Sequence, residues 1–245
     1  MKKFKFTALL FFATTLTLFT SCIKETETED YLQAFGTIET VSGSTSMVFQ
    51  DDMGKTIYVT ESSVTIDQEY EGMRGCLSYV PIEDTTVSSD DVLNAKLIFL
   101  EIVETKEAEG YYGQSDEELF TEYGSPKITV TAAWLGGTYL NILYYLGYDS
   151  LTSKRTISLL IDESRIGSMT AYGQLYYKAD GVNTDYFFSN YGVGLVSFDL
   201  KKFVSVSSLA AFNIEFCDAK TGEQDDYSAK YAGIEVNPVS STMSY

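Results

Sequence analysis

The chain has 245 residues, 44% of them hydrophobic and 14% aromatic, enough to bury the core of one large or two small domains. Its 17 basic residues face 35 acidic ones, a net charge of −18, so a polyanion such as DNA is repelled rather than held. It contains no histidine, which excludes Ser-His-Asp, Cys-His and His-zinc chemistry.

Residues 1–21 read as an export signal. Lys2, Lys3 and Lys5 form a basic head, and the apolar stretch Ala8 to Phe19 is too short to span a bilayer. Phe19-Thr20-Ser21-Cys22 resembles a bacterial lipobox, which implies that Cys22 is acylated and becomes the mature N-terminus. Several acyl chains on one cysteine hold a protein stably to a membrane, where a single chain binds only marginally. Removing residues 1–21 takes away three lysines and no acid, leaving 14 basic against 35 acidic residues, a net charge of −21. Residues 22–30 form an acidic, Thr-rich tether with nothing to bury, expected to be disordered. Lys24 and Glu25, just after the cysteine, resemble the surface-export signal of Bacteroidota lipoproteins, which implies the outer face of the outer membrane. The alternative is a plain spacer facing the periplasm.

Residues 31–105 show short strands separated by turns. The expected strands are Ala34–Val41, Met47–Gln50, Thr56–Thr60, Gly72–Ile82 and Asn94–Val103. In the last, Leu97, Phe99 and Val103 alternate with Ile98, Leu100 and Ile102, so both faces are apolar, as in a strand that closes a small barrel. Five strands in this length fit an OB-like barrel. An OB-like barrel invites nucleic-acid binding, but no Lys/Arg cluster lies between aromatics. Asp51-Asp52 reads as turn chemistry, and Arg74 is placed to pair with one of the nearby acids.

Residues 106–125 are acidic and lack a sustained apolar period, so they read as a linker. Ser115-x-x-Glu118 has the form of a capping box, which predicts a short helix over Asp116–Tyr123. The acids Asp116, Glu117 and Glu118 fit a first helical turn better than a catalytic cluster.

Residues 126–245 read as an antiparallel β-sandwich. Lys127 to Tyr148 is a hairpin around a Gly136-Gly137 turn. Ile128, Val130, Ala132 and Trp134 share one face of its first arm, and Trp134, the single tryptophan, is expected to anchor the sandwich core. On the second arm Leu140, Ile142, Tyr144 and Leu146 oppose Tyr139, Asn141, Leu143 and Tyr145. Further strands are expected at Arg155–Ile161, Tyr172–Lys178, Tyr186–Asn190, Gly194–Lys201, Ala210–Cys217 and Tyr231–Val236. All-β architecture, a small barrel followed by a sandwich, is therefore the fold class expected.

Trp134-Leu-Gly-Gly137 running into Tyr139-Leu-Asn141-Ile, Ser197-Phe198-Asp199-Leu, and the Asp52-Met-Gly54 turn resemble the NigD-like lipoproteins of Bacteroidota across essentially the whole mature chain. The resemblance implies an OB-like N-terminal domain, a C-terminal β-sandwich and an envelope lipoprotein. It implies no catalytic residues and no cofactor, and the association of the founding member with a bacteriocin gene cluster implies an immunity-type role. Arg155-Thr156 stands where the family pattern has a histidine.

Other candidate residues are weaker. Cys76 and Cys217 lie one in each domain and are expected to be unpaired thiols. The loops around Asp180–Asp185 and Asp218–Asp226 offer oxygen ligands without EF-hand spacing, so no metal site is assigned. Tyr144, Tyr145, Tyr176 and Tyr177 could stack on sugar rings, although tyrosines also suit half-buried sheets. The leading expectation is a non-enzymatic, lipid-anchored binding or protective module with a protein partner. A glycan-binding surface lipoprotein is the alternative.

Overall fold

The first five strands alternate apolar and polar residues, and their apolar sets meet inside a barrel. The computed structural model describes residues 31–82, 91–124, 127–148, 155–167, 170–179, 190–203, 210–217 and 224–231; for 147–148, 190–191 and 224–231 it describes the backbone. β1 (Leu32–Ser42), β2 (Ser46–Asp51), β3 (Thr56–Ser62), β4 (Arg74–Ile82) and β5 (Val92–Ile102) close in the order β1-β2-β3-β5-β4. Every ladder is antiparallel except β3 with β5, and β4 returns to β1. This is the OB-like barrel expected from the sequence. Ile38, Phe49, Ile57, Leu77 and Leu97 fill it, with Ile66 and Tyr70 from the loop after β3. Burial of each large apolar side chain contributes about 1.5–3 kcal/mol.

Three irregularities set the barrel's shape, one of them a register shift in the β3–β5 ladder between Val59 and Glu61. A bulge in the β1–β2 ladder between Ile38 and Thr40 bends a strand that must serve two neighbours. A second bulge, where the β4–β5 ladder steps from Ser78–Phe99 to Tyr79–Leu97, corrects the expected alternation of β5. Leu97 points inward, whereas Phe99 turns outward and Leu100 and Ile102 resume packing on the core. The extra residue shifts the period by one, which is why both faces read as apolar.

Among its described residues the second domain has one short α-helix, α1 (Asp116–Tyr123), and nine strands: β6 (Glu104–Glu107), β7 (Glu109–Tyr111), β8 (Ile128–Gly136), β9 (Tyr139–Tyr148), β10 (Arg155–Asp162), β11 (Thr170–Ala179), β12 (Asn190–Asp199), β13 (Ala211–Cys217) and β14 (Gln224–Tyr231). Their order is β6-β12-β9-β8-β14-β13-β11-β10-β7. β14 links the two layers of the sandwich, pairing with β13 along most of its length and with β8 at Lys230 and Tyr231. Ile142, Val196 and Phe198 from one layer and Leu159, Tyr177 and Phe212 from the other share one core. The long ladders β8–β9, β9–β12, β10–β11 and β13–β14 are antiparallel, as expected. The joins β6–β12, β7–β10, β11–β13 and β8–β14 are parallel.

The segment expected to be an acidic linker belongs to the sandwich. β6 and β7 lie at opposite ends of the sheet order, and the chain passes between them at the buried Ala108. Such short edges need main-chain pairing rather than apolar side chains, so their composition gave no strand signal. The predicted helix is present over Asp116–Tyr123. Ser115 accepts from the Glu118 amide while Glu118 reaches back to the Ser115 amide, and Leu119 packs with Leu160 and Tyr176.

Strand β14 is not among those expected from the sequence, and the strand expected at Tyr231–Val236 lies, apart from Tyr231, outside the described residues. The β14 residues Gln224-Asp-Asp-Tyr-Ser-Ala-Lys-Tyr231 carry no apolar alternation, and pairing on both sides places the strand. The expected short strand at Tyr186–Asn190 lies, apart from Asn190, outside the described residues.

Candidate functional site

The hairpin β8–β9 departs from its expected pattern at one point, and that point builds the joint between the domains. A bulge between Val130 and Ala132 shifts the period of β8. Ile128 and Val130 face the sandwich core, but beyond the bulge Ala133 and Leu135 take over that face. Trp134 therefore turns away from the core and toward the barrel, a correction to its expected role as core anchor. The turn is also corrected: Gly136 pairs with Tyr139 inside the ladder, and Gly137-Thr138 makes the turn, with Gly137 at φ +56°.

Asp52, from the β2–β3 turn, meets this hairpin. Its Oδ2 accepts from Arg74 Nη2 at 2.5 Å, Trp134 Nε1 at 2.9 Å and Asn141 Nδ2 at 2.9 Å. Arg74 is 1% exposed, at the start of β4. Its Nη1 donates to Thr37 Oγ1 at 2.9 Å, and Nη2 also donates to Asn141 Oδ1 at 3.1 Å. The guanidinium lies between the rings of Phe35 and Tyr139, 4.8 Å from each centroid. Phe35 also meets the Trp134 ring edge-on at 5.1 Å. Asn141, fully buried, receives a further bond from Ser197 Oγ at 2.7 Å. Gly136 is the floor: a β-carbon there would fall inside the Asp52 carboxyl.

This arrangement compensates a buried charge from two domains and leaves the Arg74 Nε without an acceptor. A buried arginine without a partner is costly, and here one carboxylate, two amide or hydroxyl oxygens and two aromatic faces compensate it. The Asp52 carboxylate is nearly enclosed, and its Oδ2 takes three donors. The chemistry of the cluster is adhesion.

The sequence motif residues Trp134, Tyr139 and Asn141 thus converge with the Asp52-Met-Gly54 turn. Its partner Asp51 does the expected turn work, accepting from the Met53 amide at 3.2 Å. Phe198 lies in the sandwich core, and Asp199 accepts from the Lys201 amide at 2.8 Å to fix the turn after β12. The pairing open to Arg74 is with Asp52. Phe35, Thr37, Gly136 and Ser197 were not singled out for this role. A lone arginine near the start of an apolar strand and the motif residues were the signals for the site; the others become legible when the two domains meet.

The four tyrosines proposed for ligand stacking do not form an exposed row. Tyr177 is fully buried in the core, and Tyr176 is 4% exposed beneath α1. Burial, followed by Asp116 and Glu215, pushes the Tyr176 phenol up to about 12. Tyr144 packs half-buried against the core with its ring over Gly194, and Tyr145 is half-buried. Cys22, Lys24 and Glu25 lie outside the described residues, as do Asp180–Asp185 and Asp218. Cys76 and Cys217 are half-buried and not joined in a disulfide, and burial raises Cys76 to about 11, with Glu101 adding to the shift. The described residues include two shallow clefts. One of about 120 Å³ is bordered by Glu104, Lys106, Tyr144 and Arg155; the other, of about 250 Å³, by Glu107, Asp199, Lys201 and Lys202. Both fall below the ~300–1,000 Å³ of ordinary small-molecule sites.

Residues 112–229 match the family model described as the NigD-like C-terminal beta sandwich domain. The sandwich is of the NigD-like type. Solved structures share its fold across 83% of its length. A protein of unknown function from Bacteroides vulgatus is 21% identical, with a TM-score of 0.63 and 92% of that chain covered. A NigD-like immunity protein from Bacteroides caccae is 14% identical, with a TM-score of 0.53 and 94% coverage. A candidate lipoprotein from Bacteroides fragilis is 11% identical, with a TM-score of 0.52 and full coverage. No curated protein matches the chain. The match to the NigD-like model begins at residue 112, so it covers the sandwich without β6 and β7, and the joint to the barrel is a feature read from this structure.

Proposed function

We propose that this NigD-like chain is a non-enzymatic, lipid-anchored envelope protein whose two domains form one rigid module for binding or protection. The observation that carries the reading is the fate of the motif residues. Asp52, Trp134, Tyr139 and Asn141 are engaged with Arg74 and one another in the interdomain joint, the Asp52 side chain and Asn141 buried and Trp134 and Tyr139 half-buried. Motifs in a hydrolase or transferase would instead converge on an open cleft. The immunity and lipoprotein names of two fold relatives support the same direction. The lipid anchor is assigned to Cys22 and the outward location to Lys24 and Glu25, on the sequence context of an apolar signal followed by an acidic tether.

Metabolic labelling with a palmitate analogue tests the anchor. The wild-type protein is expected to carry the label and partition into detergent, and Cys22→Ser to lose both. A labelled Cys22→Ser variant would refute the assignment. Protease added to intact cells tests the leaflet: rapid loss is expected, and survival until lysis would place the protein inside. A protein partner is the ligand class proposed, because the surface is acidic and the clefts are small.

A further inference from the structure

The outer face of the barrel formed by β1, β4 and β5 presents its side chains in register rows. Thr37 and Arg74 make the first row, Phe35, Cys76 and Glu101 the second, and Gln33, Ser78 and Phe99 the third. Val80 and Lys96 follow, and Tyr31 stands just ahead of β1 on the side of Gln33. The sandwich hairpin meets the first two rows through Arg74 and Phe35. The far end carries large exposed rings: Phe99 is 53% exposed and Tyr31 49%. The β5 bulge is the reason, since it turns Phe99 out of a strand that is otherwise inward-packing at Leu97 and Leu100.

The position of this patch in the chain identifies what it faces. Tyr31 is nine residues from Cys22, and that length of chain spans at most about 30 Å when fully extended. The end of the barrel where Tyr31 stands is therefore the part of the described molecule nearest along the chain to the lipid. Tyrosine and phenylalanine are favoured at the boundary between headgroups and acyl chains, and a lysine there can extend its ammonium to the phosphates. Lys96 supplies that group, with Glu61 beside it across the β3–β5 ladder, while Glu101 is set back toward the sandwich. We propose that the Tyr31–Phe99 end of the barrel rests on the phospholipid bilayer that holds the anchor, which orients the sandwich away from the membrane. This rests on the lipid-anchor reading of Cys22.

The test uses the full lipidated protein reconstituted into phosphatidylcholine vesicles, with or without bromine on the acyl chains. Trp134 is the single native tryptophan and lies in the joint, so it serves as the background. Phe99→Trp, Tyr31→Trp and Tyr112→Trp each add one reporter; Tyr112 is 75% exposed, next to β7 of the sandwich. Emission added by Phe99→Trp and Tyr31→Trp is expected to fall about twofold or more in brominated vesicles, and that of Tyr112→Trp to stay unchanged. Tyr31 precedes the barrel ladder, so its variant reads the same face if Phe99→Trp disturbs β5. Unquenched reporters in protein that floats with the vesicles would overturn the docking face while leaving the anchor intact. Protein that does not float with the vesicles would overturn the anchor, and the docking inference with it.

Discussion

Asp52→Ala removes one partner of the buried ion pair and is the sharpest test of the joint. The Asp52 side chain is 4% exposed and that of Arg74 1%, so loss of the carboxylate strands a guanidinium with no access to water. Removing one member of such a pair typically costs about 3–5 kcal/mol. Trp134 Nε1 and Asn141 Nδ2 lose the same acceptor, but these losses belong to one network and do not add to the first. For a folded unit of this size, a loss of that order lowers Tm by roughly 6–20 °C. Asp52→Asn keeps an oxygen for Trp134 or Asn141 and is expected to fall between wild type and Asp52→Ala. Arg74→Met leaves the carboxylate unpaired and is expected to cost about as much as Asp52→Ala. The double variant is expected to be well short of the sum, with a coupling of at least ~1 kcal/mol. Guanidinium denaturation followed by Trp134 emission is the natural assay, because the indole donates to the mutated carboxylate. A loss under about 1 kcal/mol for Asp52→Ala, or full additivity in the double variant, would refute the joint as the bond between domains.

Gly136→Ala places a methyl group against the same carboxylate without a backbone penalty; overpacking of about 1–3 kcal/mol is expected in denaturant, and a neutral variant would show that Asp52 has room. Leu119→Ala empties the contact of α1 with Leu160 and Tyr176, with an expected cost of about 2–5 kcal/mol and faster amide exchange confined to α1. Cys76 titrates at about 11 in the folded protein instead of its ordinary 9.0, so the stability gained by keeping it neutral is complete below pH 9 and lost as the pH rises toward 11. Its alkylation at pH 8, measured in a Cys217→Ser chain lacking Cys22, is expected to run about a hundredfold below a free thiol, since the thiolate fraction falls in that proportion. Reaction at the free-thiol rate with the fold intact would show that the sulfur is solvated.

Local pattern determined a good part of this protein. Period-two alternation placed the barrel strands, both arms of the hairpin and β10 to β13, because a half-buried strand must sort its side chains by face. Ser115 and Glu118 located α1, since a cap is a bond between near neighbours. The family motif at Trp134, Tyr139 and Asn141 was legible as a string of residues, but its role was not. Three things needed the tertiary structure. Bulges in β5 and β8 shift the side-chain period by one, so Phe99 and Trp134 face the opposite way from their sequence pattern. The edge strands β6 and β7 and the bridging strand β14 are held by main-chain bonds, which any composition can make. The joint gathers Thr37, Asp52, Arg74, Asn141 and Ser197 from positions up to 160 residues apart. No local signal marks a buried charge as satisfied until the carboxylate, the amide and the two aromatic rings that compensate it are brought together by the packing of two domains.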